Sequence, residues 1–202
     1  GTTIGVKLTV KEKIEGEKIE FGWRSLLKKQ NQKNFSQLKD VTKIYILGFD
    51  FSTFLSRFET CTLTNIINPS EVVFKLLANN PKAEVVYLTT RITTNTKTYS
   101  RYLFCKQNLG HMLSKISNAY IIELNTIISN DMTPIVRAGM FARLIFSFLI
   151  KTKRISTCTL SEVEHKIRNY KSVSVNPTEL IPCYLWVPRS QFLDKALRYV
   201  LR

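Results

Sequence analysis

The apolar residues of this 202-residue chain fall into short runs whose period changes along the sequence, and that change limits the fold more than any other feature. Ile4, Val6, Leu8 and Val10 alternate with polar residues, and after Glu15-Gly16 the alternation resumes at Ile19, Phe21 and Trp23. This predicts a strand, a turn and a second strand. Residues 24–40 are polar and rich in Lys, Gln and Asn, as expected of a loop with a short helix, and a compact apolar strand follows from Ile44 to Phe51 with Asp50 near its end. Asn68-Pro69-Ser70-Glu71 has the layout of a helix start, with Asn as cap, Pro in the first turn and an early acid. Val72, Val73, Leu76 and Leu77 then share one face, and Asn79-Asn80-Pro81 ends the helix.

Two β-rich runs, Glu84 to Thr94 and Thr98 to Lys106, flank Asn95-Thr96-Lys97 and predict a hairpin. A short helix from Leu109 to Ser117 and a strand from Tyr120 to Ile127 come next. Asp131 suits the cap of a long apolar segment, Ser161 with Glu164 a capping box over a helix ending near Tyr170, and Ser190 the cap of a final helix through Leu201. Val173, Val175 and the run from Cys183 to Val187 look like strands. Strands and helices mix without a regular strand–helix–strand beat, so the expected fold is α+β, a mixed or antiparallel sheet with several packed helices, in a single compact domain over residues 1–202. Two echoes, TCTL at 60–63 and 157–160 and NPSE at 68–71 against NPTE at 176–179, are read as coincidence rather than duplication.

Charge speaks to function rather than fold. Thirty Lys and Arg against fifteen Asp and Glu give +15, spread along the whole length, and a field of that size concentrates an anionic partner. Cys61, Cys105, Cys158 and Cys183 lie far apart with two His in the chain, which does not make a zinc motif, so they read as reduced thiols in an intracellular protein, cytoplasmic or nuclear. The start of the chain lacks the basic-then-apolar layout of a signal peptide. Met132 to Ile150 is the longest apolar stretch, but Arg137 and Arg143 lie inside it, and each costs about 2.5–3.5 kcal/mol at a bilayer centre. A buried core element is therefore expected there. A surface-seeking segment is the alternative, since Lys151, Lys153 and Arg154 follow at once and suit anionic head groups.

With the hairpin turn centred on Thr96, one sheet face would carry Tyr87, Arg91, Tyr99 and Arg101, with Lys97 at the turn and Lys106 close by. Arg for phosphates and Tyr for base stacking on an open sheet is a means of holding single-stranded RNA. No acid occurs from Val85 to Ile122, where Arg91, Lys97, Arg101, Lys106 and Lys115 stand unneutralised. A half-exposed face with ordinary solvated Arg explains the same pattern equally well. The C-terminal helix sets Lys195, Arg198 and Arg202 opposite an apolar stripe, and Lys28, Lys29 and Lys33 form a further cluster beside Lys151, Lys153 and Arg154. Singly, each would be a solvated face; together they imply a binding surface.

Catalytic signals are sparse. His111 and His165 sit on amphipathic segments and read as structural, and GxSxG, HExxH, P-loop and GxGxxG motifs do not occur. Asp50 at the end of an apolar strand, joined by Glu59, Glu71, Glu84 or Glu123, would be the metal site of a nuclease if those acids converged. The Lys-, Asn-, Ile- and Thr-rich composition is similar to that of small structural or RNA-handling proteins of AT-rich viral genomes. The expectation is a non-enzymatic, matrix-like protein that needs no cofactor or metal, engages RNA, or RNA together with an anionic membrane, through dispersed Lys and Arg, and gains avidity by self-association. Its alternatives are a peripheral membrane protein using residues 132–154, a metal-dependent nuclease, and a module for an acidic protein. On the hairpin reading, reversing the charge of Arg91 and Arg101 weakens RNA binding more than reversing Lys151 and Lys153.

Overall fold

A computed structural model describes residues 38–50, 53, 56–90, 101–129, 133 and 140–176. The elements are, in order, β1 (Lys43–Ile46), α1 (Phe58–Thr62), a π-helical turn (Leu63–Ile67), α2 (Asn68–Asn79), β2 (Glu84–Thr90), α3 (Arg101–Leu113), β3 (Ala119–Leu124), β4 (Thr126–Ile128), α4 (Met140–Lys151), β5 (Thr157–Thr159), α5 (Leu160–Arg168) and α6 (Tyr170–Val173). Helices pack against small sheets, so the chain is α+β as expected. Strand direction is where the structure departs from expectation: β1–β2, β2–β3 and β4–β5 are all parallel, and among the described residues the antiparallel component is a single bridge between Ile121 and Val175. The strand–helix–strand beat that the sequence hid is present, because α1, the π turn and α2 carry the chain from β1 to β2, and α3 carries it from β2 to β3.

A parallel strand covered on both faces must be apolar on both, and the Val85-Val86-Tyr87-Leu88 run of β2 is buried residue by residue. One face of the sheet packs Ile44, Ile46, Val85, Tyr87 and Ile121 against Val72, Val73 and Leu76 of α2 and Leu109 and Leu113 of α3. The other sets Val86, Leu88, Ile122 and Leu124 against Cys158 of β5, Val163 and Ile167 of α5 and Tyr170 of α6. α3 lies against the sheet at Gly110, where a Cβ would make ordinary van der Waals contact, 3.4 Å from the Tyr87 ring and 3.5 Å from Ile121.

α2 begins at Asn68 with Pro69 and Glu71 in its first turn, as expected, but it does not begin afresh. The helical path is already running through α1 and the π turn, and Asn68 makes no side-chain cap. A proline inside a helix cannot donate its backbone bond to the carbonyl four residues back, and the wider π turn stands where that bond would be. The end of α2 matches expectation, and Asn80 explains its firmness. Its Oδ1 accepts from the Val41 N–H at 2.9 Å while its Nδ2 donates to the Leu38 and Leu76 carbonyls at 2.9 Å each, tying the approach to β1 to the helix end.

The N-cap of α5 is Thr159 rather than Ser161. Its hydroxyl accepts from the Glu162 N–H at 3.3 Å and its own N–H donates to the Glu162 carboxylate at 2.7 Å, a reciprocal capping box two residues upstream of the expected one. Val173 closes the short α6 instead of lying in a strand. The two N-terminal strands, the Asp131 and Ser190 caps and the 183–187 run lie outside the described residues.

Candidate anion-binding corner and the carboxyl edge of the sheet

The predicted hairpin is replaced by a strand and a helix. Residues 84–90 form β2, but Arg101 to Lys106, assigned to its second strand, lie in α3. Every fourth residue of this helix, Arg101, Cys105, Leu109 and Leu113, is buried. The open face expected of Tyr87, Arg101 and Lys106 is therefore absent: Tyr87 is fully buried, and Arg101 and Lys106 are only 4% and 5% exposed. Arg91, Lys97, Tyr99, Lys28, Lys29, Lys195 and Arg198 lie outside the described residues.

The carboxyl ends of β1 and β2 meet the start of α3 in a buried polar cluster. The Lys106 ammonium donates to the Leu88 carbonyl and, at 3.5 Å, to that of Gly48, joining the ends of the two strands, and it stands 4.5 Å from the centroid of the Tyr87 ring. Burial pushes Lys106 down to about 7, because the charged form loses its hydration there. The Lys106 carbonyl accepts from the Tyr87 hydroxyl at 2.9 Å and the Thr89 hydroxyl at 3.1 Å. Arg101 donates to the Ser56 carbonyl and Gln107 to that of Thr90. These cations serve the backbone of the fold. The sequence signal for them was the four-residue spacing of Arg101, Cys105, Leu109 and Leu113, which the alternating polar pattern around Arg101 obscured.

Beside them the Cys61 and Cys105 sulfurs approach to 3.8 Å, both buried. Asn65 stitches this region together, donating to the Thr53 hydroxyl at 2.8 Å and the Cys61 carbonyl at 3.0 Å while accepting from the Asp50 N–H at 2.7 Å. The Cys105 thiol, then Thr53, Arg101 and Asn65, favour the Cys61 thiolate and bring it down to about 7 against the opposing effect of burial. Cys61, Cys105 and Cys158 are free and buried, as the reading of small apolar thiols expects. Of the acids proposed to join Asp50, Glu84 opens β2 at the opposite end of the sheet, bound by Tyr170 and Lys171, and Glu71 pairs with Lys75 at 2.6 Å. Among the described residues, no three metal-ligating side chains converge.

A basic cluster that does face solvent lies at the end of α4. Lys151, Thr152, Lys153 and Arg154 are all exposed. The turn that presents them is a Schellman closure: the Lys153 N–H donates to the Ile150 carbonyl at 2.9 Å and the Arg154 N–H to that of Leu149 at 2.8 Å, with Lys153 in the left-handed region at φ 55°. A lysine holds the position where glycine is usual. Lys75 pairs with Glu71, Arg168 with Glu164 and Lys171 with Glu84, whereas Lys151, Lys153 and Arg154, like the exposed Lys39, Arg57, Lys82 and Lys115, form no ion pair among the described residues; only at the end of α4 do three such cations fall within four positions of sequence. Between Met140 and Ser161 there are four basic residues and no acid. No helix among the described residues is long and apolar enough to cross a membrane. No family model matches the chain, and no curated protein is detectably similar to it.

Proposed function

We propose that the protein binds RNA through dispersed Lys and Arg, with the corner formed by Lys151, Lys153 and Arg154 as its principal described contact. The observation that carries this reading is the exposure of three cations within four positions, none of them in an ion pair among the described residues, in a chain of net charge +15. Phosphate neutralisation releases condensed counterions, so affinity falls steeply with salt and discriminates little among sequences. With Arg101 engaged by the Ser56 carbonyl, the expected ranking of substitutions reverses, and the α4 corner matters more than the start of α3.

The test is binding of a fluorescent single-stranded RNA over a salt series to wild type and to Lys151→Glu/Lys153→Glu. Two lost phosphate contacts flatten the slope of log K against log salt by roughly 1.4. An unchanged slope with unchanged affinity would remove the corner from the interface.

A further inference from the structure

Helix α4 presents more than charge. Leu144 is 62% exposed and Phe148 is 65% exposed, the two most exposed large apolar side chains among the described residues. At 100° per residue, Leu144, Phe148 and Lys151 fall within an arc of about 60°, so the two apolar groups and the first cation form one line along the helix. Ile150 lies on the other side of the helix and is buried. The line runs directly into Lys153 and Arg154, both exposed. The arrangement is that of an interfacial helix, an apolar ridge to enter the acyl boundary with cations beside it at the depth of the head groups.

We infer that the Leu144–Phe148 ridge of α4, with Lys151, Lys153 and Arg154, is a docking surface for an anionic phospholipid membrane. Charge complementarity selects this occupant over the others. A second copy docked parallel would bring the same cations face to face, where like charges repel, and docked antiparallel would offer them a helix, Met140–Lys151, that contains no acid. RNA satisfies the cations, but its phosphate backbone offers nothing to a leucine and a phenylalanine one helical turn apart. An anionic bilayer meets both halves of the surface. Sitting in the interface plane also removes the need for a spanning helix, which is consistent with the 12-residue length of α4.

The experiment is co-sedimentation of the full chain with vesicles of phosphatidylcholine alone and of phosphatidylcholine with phosphatidylserine, with RNA affinity measured in parallel. Leu144→Ser/Phe148→Ser removes the ridge and keeps the charge, and because both side chains are exposed its circular dichroism should match wild type. Wild type should bind the anionic vesicles and not the neutral ones, and the ridge variant should lose about tenfold in vesicle affinity while RNA affinity stays within about twofold. Lys151→Glu/Lys153→Glu should lower both. Three results would each overturn the inference: equal binding to the two vesicle types, ridge-variant binding equal to wild type, or a ridge variant that turns an oligomer into a monomer with vesicle binding intact. Failure of RNA binding alone would sink the proposed function and leave the membrane surface standing.

Discussion

At the scale of single residues, the structure separates cations that hold the fold from cations that face outward. Lys106 is the first kind. Its folded pKa is lowered to about 7 from the ordinary 10.5 by burial, so between those values the unfolded chain binds more protons than the folded one. Stability therefore rises with pH from 7 towards 10, and the burial penalty is fully present below 7. Cys61, also lowered to about 7, acts in the same direction up to its ordinary value of 9. Urea midpoints at pH 7 and pH 9 should show this rise, and Lys106→Met should reduce it while leaving the Cys61 contribution; an equal rise in both proteins would contradict the burial account. Lys153 is the second kind. Its left-handed backbone disfavours any side chain, so Lys153→Gly should raise stability by up to about 1 kcal/mol in thermal or urea unfolding while weakening polyanion binding. A lysine kept at a glycine position is what a contact residue would look like. Loss of stability on Lys153→Gly would mean that its side chain packs, and that its presence needs no functional reason.

At the scale of elements, legibility depended on whether one signal or two competed. The β2 run was readable because Val85, Val86, Tyr87 and Leu88 are β-formers and continuously apolar, as a strand covered on both faces requires. The start of α3 misled for the opposite reason. Arg101, Tyr102, Leu103, Phe104, Cys105 and Lys106 set β-forming residues between two charges, and both charges are buried by bonds to carbonyls that no local pattern announces. Tertiary contacts overrode propensity there. In α5 two capping boxes overlap, Thr159 with Glu162 and Ser161 with Glu164, and local sequence cannot rank them. Strand β5 ends at Thr159, which gives that residue the extended backbone of a cap, φ −85° and ψ 165°. Thr159→Ala should cost about 1 kcal/mol and Ser161→Ala much less, measured by urea denaturation. The reverse order would restore the original assignment.

At the scale of the whole molecule, the features that travel best from sequence to structure are the most delocalised ones. Net charge and the α+β balance were legible because they sum over many residues, whereas strand direction was not, because parallel pairing follows from which helices cover which face. The candidate site divides in the same way. Lys151, Lys153 and Arg154 were identifiable as a cluster and are exposed in the structure, while Tyr87, Arg101 and Lys106 were chosen for an open sheet face that the fold does not contain. The Leu144–Phe148 ridge escaped notice within its apolar stretch, since exposure of an apolar side chain has no sequence signature when its neighbours are apolar too. What the described residues combine is a sheet clamped by buried polar bonds at its carboxyl edge and an exposed α4 corner whose three cations form no ion pair among them.

The central claim is tested most directly by measuring the affinity of the wild-type chain for a fluorescent single-stranded RNA from about 0.05 to 0.2 M salt, with the RNA checked for integrity afterwards. The account predicts tight binding at the low end, a steep linear fall of log K with log salt, little dependence on sequence, and intact RNA with or without magnesium. Weak binding throughout, or an affinity indifferent to salt, would contradict it.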